Sequence, residues 1–141
     1  MVDLGGQVSV SGPRRDGSPW LVAIAHPGDR NRPSIHVALR QGSLSTSGGS
    51  ERDLQVDGTR IGHILDPRTG RPAPFVGAVT VWHERGLVAD ILSTALYVMG
   101  RDVGLAWAEQ AGVAAAYLTL DDDSGLRIAT TPAFDRLIER E

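Results

Sequence analysis

The chain has 141 residues, 41% of them hydrophobic and 22% charged, which suits one ordinary globular domain, and we expect residues 1–141 to form it. It has no cysteine and all 14 basic residues are arginine, which excludes disulfides, thiolate zinc clusters, a lysine Schiff base and a P-loop lysine. A net charge of −3 without a basic stripe argues against a nucleic-acid partner, and no apolar run reaches the ~18 residues of a membrane span.

Alternating apolar residues predict strands in the first half of the chain. One strand is predicted over 20–25 and another over 34–40, with turn residues between them, so we expect the two to pair. Asp57-Gly58 is a strong hairpin signal, and residues 76–82 read as a further strand.

From residue 87 the apolar period becomes helical. The apolar positions of this predicted helix are Val88, Ile91, Leu92, Ala95, Leu96 and Met99. Gly100 is its predicted C-terminal cap, and a second helix is predicted over about 102–111, before Gly112.

The end of the chain returns to strands. We predict strands over 113–120 and 126–130 joined by a polar turn, then a short helix over 132–140. Strands followed by two helices and two more strands predict an α+β fold, a mainly antiparallel sheet with two main helices packed on one face.

Asp90 and Thr94 are candidate metal ligands on the first helix. They lie one turn apart and project together, away from the stripe of Val88, Leu92 and Leu96. A carboxylate and a hydroxyl suit a hard cation such as Mg²⁺. The alternative is an acid favoured by the helix dipole and a back-bonded or solvated hydroxyl.

The loop at 62–72 contains proline and glycine residues that shape its backbone, together with residues that could act in catalysis or bind an ion. Here His63 is a candidate general acid or base, and Asp66, Thr69 and the neighbouring arginines could serve an anion or a metal. The alternative is that His63 only packs and that Asp66, before Pro67, only starts a turn by accepting the N–H of Arg68 or Thr69.

A second polar segment, residues 43–53, places hydroxyl groups beside Gly48-Gly49. Such a composition can present successive backbone N–H groups to a phosphate, although a hairpin loop has the same composition.

Together the motifs HILDPRTGRP and ADILSTAL, in this order and spacing, resemble the C-terminal part of ApbE-type FAD:protein FMN transferases. The segments VDLGG, DGSPWLVAIAHP, LSTSG and GLAWAEQAGVAAAYL extend the resemblance over nearly the whole chain. It implies an α+β flavin-handling fold, with FAD as the substrate.

The resemblance also implies roles for individual residues. Mg²⁺ would be bound by Asp90 and Thr94, and FMN would pass from FAD to a threonine or serine hydroxyl of an acceptor flavoprotein. His63 would be the catalytic base, beside Asp66 as a second catalytic residue. The flavin nucleotide would contact Thr46, Ser47, Gly48, Thr69 and Gly70.

Departures from the family pattern leave other hypotheses open. The family's N-terminal portion, with its glycine-lysine motif, has no counterpart here, and Gln7 replaces the usual aspartate after LGG. The chain is therefore a transferase half, a noncatalytic flavin-binding module or a structural module. A separately encoded N-terminal half or a second copy of the chain is an expected partner. Without a recognisable signal peptide, a cytoplasmic location is the default expectation.

Overall fold

The computed structural model describes residues 1–49, 53–75, 77–121 and 125–139, so the predictions for Val76 and for the turn at 122–124 lie outside the described residues. None of the helices in these ranges is both long enough and apolar enough to cross a lipid bilayer. The elements follow in chain order: β1 (Val2–Asp3), β2 (Gln7–Val10), β3 (Trp20–His26), β4 (Asp29–Leu39), β5 (Gly42–Gly48), β6 (Leu54–Val56), β7 (Thr59–Ile61), β8 (Leu65–Asp66), β9 (Arg71–Pro72), β10 (Ala78–His83), α1 (Gly86–Met99), α2 (Arg101–Gln110), β11 (Ala114–Leu120), β12 (Leu126–Thr130) and α3 (Pro132–Asp135).

A six-stranded sheet forms the centre of the molecule. Its order is β1-β2-β5-β10-β11-β12, and each neighbouring pair is antiparallel. The other strands form the hairpins β3–β4, β6–β7 and β8–β9, and the second of these turns at Asp57-Gly58 as predicted. The predicted α+β fold with an antiparallel sheet is confirmed.

The two faces of this sheet are covered by different layers. Because side chains alternate along a strand, neighbours such as Ala116 and Tyr117 belong to opposite cores. The β3–β4 hairpin and Phe134 of α3 cover one face, and α1 and α2 cover the other. The two main helices therefore pack on one face, as the sequence predicts.

Helix α1 ends where predicted, and its predicted apolar stripe contributes Leu96 and Leu92 to the core. Gly100 has a φ of 75° and closes the helix. The side chains buried against the sheet are Ala89, Ser93, Leu96 and Tyr97. Ile91, one of the apolar positions of the predicted helix, is 57% exposed, and the small side chains of Ala89 and Ser93 are buried against the sheet.

Tyr117 joins the sheet to both helices. Its side chain is fully buried, and its hydroxyl donates a hydrogen bond to the carbonyl oxygen of Leu96 in α1 at 2.9 Å. A Cβ atom at Gly104 of α2 would overlap that hydroxyl oxygen. Burial raises the pKa of Tyr117, which keeps its hydroxyl a proton donor.

The last helix is shorter than the predicted 132–140, because the chain turns back to the β3–β4 hairpin. Helix α3 ends at Asp135, and the backbone N–H of Ala38 donates to the carbonyl of Leu137 at 2.8 Å. Residues after Asp135 thus form backbone hydrogen bonds with β4 in place of the hydrogen bonds that would have continued the helix.

Gly104→Ala is expected to destabilise the protein, although alanine normally favours a helix interior by about 1 kcal/mol over glycine. The added methyl group has to displace the Tyr117 hydroxyl, and overpacking of this kind costs about 1–3 kcal/mol. Urea unfolding followed by circular dichroism measures the loss. The double variant Gly104→Ala/Tyr117→Phe should be more stable than the sum of the single changes predicts, and strict additivity would contradict the steric explanation.

Candidate functional site

A polar cluster joins α1 to β5; we define it as Ser45, Ser47, Asp90, Ser93 and Thr94. Ser45 and Ser47 share one face of β5, since side chains two apart on a strand project together. The Ser45 hydroxyl donates to Oδ1 of Asp90 at 3.1 Å, and the Ser47 oxygen lies 2.9 Å from Ser93 Oγ and 3.1 Å from Thr94 Oγ1. The structure thus brings the predicted metal pair beside Ser47.

The polar cluster has a buried base and an exposed rim. Ser45 and Ser93 are 2% and 0% exposed, and buried hydroxyls of this kind need hydrogen-bond partners, which each finds within the cluster. Asp90 and Thr94 are exposed at the rim. The sequence analysis did not predict Ser45 or Ser93 as site residues. Ser45 could have been found because serines occupy every second position of β5, and Ser93 because it precedes Thr94.

The rim retains oxygen lone pairs for a ligand. Thr94 Oγ1 donates to the carbonyl oxygen of Asp90 at 3.2 Å, the back-bond considered for it in the sequence, which directs its proton into the helix. Asp90 Oδ1 accepts from Ser45, and within the described ranges no hydrogen bond to Oδ2 is recorded. The rim therefore offers hard oxygen donors from a carboxylate and a hydroxyl.

The other two residues predicted in this segment, Thr46 and Gly48, have their nearest contacts in β10 or next to it. Thr46 Oγ1 lies 2.8 Å from Thr80 Oγ1 on the opposite face of the sheet. A Cβ at Gly48 would come within 3.1 Å of the carbonyl oxygen of Gly77, so glycine permits the close approach to the start of β10. The side chain of Thr46 and the polar cluster are thus on different faces.

The loop motif forms a tight hairpin between β8 and β9. The carbonyl oxygen of Asp66 accepts the N–H groups of Thr69 at 3.1 Å and Gly70 at 2.8 Å, and Gly70 has a φ of 66°. Thr69 Oγ1 accepts the N–H of Arg71 at 3.2 Å. Proline and glycine shape this turn, which places Thr69 and Gly70 at its exposed tip.

Asp66 is the anchor of the hairpin. Its carboxylate accepts the Arg68 backbone N–H at 2.9 Å and the Arg68 guanidinium at 2.9 Å (Nε to Oδ1) and 2.8 Å (Nη2 to Oδ2). These hydrogen bonds from Arg68 hold the pKa of Asp66 below its ordinary value. The predicted turn-starting bond to the N–H of Arg68 is confirmed.

His63 is held by a residue that sequence analysis did not single out. Its ring Nδ1 lies 2.8 Å from Oδ1 of Asp53, and the same oxygen accepts the His63 backbone N–H at 3.1 Å. The side chains are 30% exposed for His63 and 6% for Asp53. Nine residues separate Asp53 from His63 in the sequence, and the intervening β6–β7 hairpin brings His63 back to Asp53.

Helix α1 also anchors the segment that carries His63 and Asp66. The backbone N–H of Ala73 donates to the carbonyl oxygen of Ile64, and both residues pack with Phe75 against the core beneath α1. The Tyr97 hydroxyl donates to the carbonyl oxygen of Phe75 at 2.8 Å, and the two rings meet edge to face. One element thus supports the predicted metal pair and the predicted catalytic loop.

These observations coincide with a known family, because the sequence profile described as the ApbE family matches residues 1–118. The chain belongs to the ApbE family. The resemblance carried by its two motifs is confirmed. Among the curated ApbE relatives, the FAD:protein FMN transferase of Vibrio cholerae is 38% identical over 126 residues, which are 87% of this chain and 37% of the relative. That of Haemophilus influenzae is 33% identical over 143 residues, 99% of this chain and 41% of the relative.

Solved ApbE structures have the same fold. The ApbE protein of Thermotoga maritima matches with a TM-score of 0.84 and 33% identity, over 96% of this chain and 43% of that structure. The apo flavinyl transferase ApbE of Pseudomonas stutzeri matches with a TM-score of 0.75 and 38% identity, over 96% and 42%. The chain spans about two fifths of the length of the relatives it matches.

The Asp66–Arg68 pair predicts an acid-sensitive contribution to stability. Because the folded-state pKa of Asp66 lies below its ordinary value of 3.8, the contribution is present above about pH 3.8 and is lost as the pH falls through the lower folded value. Asp66→Asn should therefore lower the urea midpoint at pH 6 and flatten its dependence on pH below 4. Glu109→Gln, which changes an exposed acid on α2, is the control. The same fall of the urea midpoint below pH 4 in wild type and in Asp66→Asn would contradict the assignment.

Proposed function

We propose that this ApbE chain takes part in moving FMN from FAD to a threonine or serine hydroxyl of an acceptor flavoprotein. The observation that carries the proposal is the polar cluster, in which serine hydroxyls of β5 and α1 hydrogen-bond to one another and to the exposed side chains of Asp90 and Thr94. The names of its relatives, FAD:protein FMN transferases, support the same reaction.

Mg²⁺ suits the oxygens of the rim. Mg²⁺ usually takes one or two protein oxygens and fills its shell with water and phosphate, and the rim offers a carboxylate and a hydroxyl. We propose Asp90 and Thr94 as the residues that hold it. When bound, Mg²⁺ neutralises charge on the phosphate oxygens. Ser45 fixes the direction of the Asp90 carboxylate.

His63 is proposed as the general base. The acceptor hydroxyl oxygen would bond to the FMN-side phosphorus while the bond from that phosphorus to the bridging oxygen breaks, so AMP leaves and the hydroxyl proton passes to His63. Asp66 would contribute by holding the hairpin in shape through Arg68. Flavin-nucleotide contacts are proposed for Ser47 and Gly48 of β5, and for Thr69 and Gly70 at the hairpin tip. For Thr46, whose side chain lies on the other face of the sheet, the proposed contact is through the backbone.

Exposed apolar side chains on α1 and α2 support a partner for this part of the family architecture. Leu87 and Ile91, one turn apart on α1, are 64% and 57% exposed, and Val103 and Trp107 on α2 are 66% and 40% exposed. Burial of such side chains is favourable by about 25 cal/mol per Å². We propose that the portion of the family architecture not spanned by this chain, or a second copy of the chain, covers this surface.

Covalent flavin on an acceptor tests the proposed reaction. The chain is mixed with FAD, Mg²⁺ and an acceptor flavoprotein domain, alone and together with the remaining portion of an ApbE relative, and flavin fluorescence is read on a denaturing gel. We expect a fluorescent acceptor band that disappears when the acceptor threonine is changed to valine. Absence of the band in both mixtures would contradict the transfer reaction and favour a flavin-binding or structural role for the chain.

Asp90→Ala should abolish the Mg²⁺-dependent effects of the chain. Removal of the carboxylate leaves Thr94 as the single proposed protein ligand. We therefore expect the Mg²⁺ affinity in the presence of FAD to fall by at least about 100-fold, because the loss of a group that merely supports a metal ligand already costs about 10- to 100-fold. Isothermal titration calorimetry measures the affinity. Asp102→Ala, an exposed acid on α2, is the matched control, and unchanged Mg²⁺ affinity in Asp90→Ala would identify Asp90 as a surface acid.

A further inference from the structure

The Asp53–His63 pair extends the proposed site by one residue. Asp53 is an acid whose side chain is 6% exposed, and it contacts His63 twice, through the ring Nδ1 at 2.8 Å and the backbone N–H at 3.1 Å. Neither family motif includes Asp53. A nearly buried carboxylate costs free energy unless donors satisfy it, and His63 supplies two of the contacts to this one.

The chemistry of the carboxylate determines where the imidazole proton lies. An ionised carboxylate only accepts hydrogen bonds, and Oδ1 of Asp53 already accepts the His63 N–H, so the ring must donate to it through Nδ1–H. A neutral imidazole with a proton on Nδ1 has a lone pair on Nε2. Among the described residues no hydrogen-bond partner of His63 Nε2 is recorded, and the side chain is 30% exposed.

We propose that Asp53 is a positioning residue that holds His63 as the Nδ1–H tautomer and so presents Nε2 as a proton acceptor. The inference rests on the proposed function for the use of that lone pair, because a base for the acceptor hydroxyl must be unprotonated at the nitrogen facing it. The backbone bond from His63 to the same oxygen fixes the ring relative to the carboxylate. Asp53 stabilises the imidazolium after the proton has been taken up.

The tautomer is measured directly by NMR, without any need for activity. The chain is labelled with ¹⁵N at histidine and studied at about pH 8, above the usual histidine pKa of about 6.5, and His63 is assigned by loss of its signals in His63→Gln. The sequence has four histidines, so the assignment is tractable. We expect a protonated Nδ1 and an unprotonated Nε2 for His63; a proton on Nε2 would overturn the proposal.

Asp53→Asn tests the role of the carboxylate. The asparagine amide can donate to Nδ1, which allows the proton to move to Nε2, so we expect the Nε2–H tautomer to gain population. Asp57→Asn is the matched control, because Asp57 is exposed, lies at the turn of the β6–β7 hairpin between Asp53 and His63, and has a φ of 50°, which asparagine tolerates. An unchanged His63 tautomer in a folded Asp53→Asn protein would overturn the proposal, and the thermal unfolding midpoint shows whether it is folded.

The flavin-transfer assay separates this proposal from the proposed function. Asp53→Asn should lower kcat about 100-fold, the smaller end of what general base catalysis supplies, with the KM for FAD unchanged. An unchanged kcat would overturn the positioning role. Full transfer activity in His63→Gln would instead remove the base from the proposed function, while the NMR result for Asp53 and His63 would stand.

Discussion

The candidate site depends on the packing of α1 against β5 through small side chains that carry hydroxyl groups. Larger residues at Ser45 and Ser93 would lift the helix from the sheet, and apolar residues of similar size would leave the Asp90 carboxylate without its hydrogen bond from β5. Because the serines are buried, their hydroxyls have few alternative partners, and the geometry of the rim is set by the core.

The same helix links the site to the rest of the fold. Tyr97 holds the backbone at Phe75, and Tyr117 reaches from β11 past Gly104 to the backbone of Leu96. A shift of α1 would therefore move the rim and the segment carrying His63 together. Such a rigid support suits the proposed transfer of FMN, because phosphoryl transfer relies on the positioning of groups.

Local patterns predicted most of the elements, and the errors arose from tertiary contacts. Alternation predicted the β3–β4 pair, and Gly100 predicted the end of α1, because each depends on neighbours in sequence. The apolar period did not show that Ala89 and Ser93 face the sheet while Ile91 is exposed, and α3 stops early because β4 supplies backbone partners. Asp53 lay beyond any local rule, since only the β6–β7 hairpin brings it to His63.

We propose that Asp90 and Thr94 of α1, positioned by hydrogen bonds to β5, hold a divalent cation at the rim of the polar cluster. Replacing Mg²⁺ with paramagnetic Mn²⁺ in the presence of FAD, and recording which backbone amide signals broaden, locates the ion on the intact chain. The account predicts broadening centred on Asp90–Thr94 and on residues 45–48, with little effect at α3. Broadening centred elsewhere, or none at saturating Mn²⁺, would contradict it.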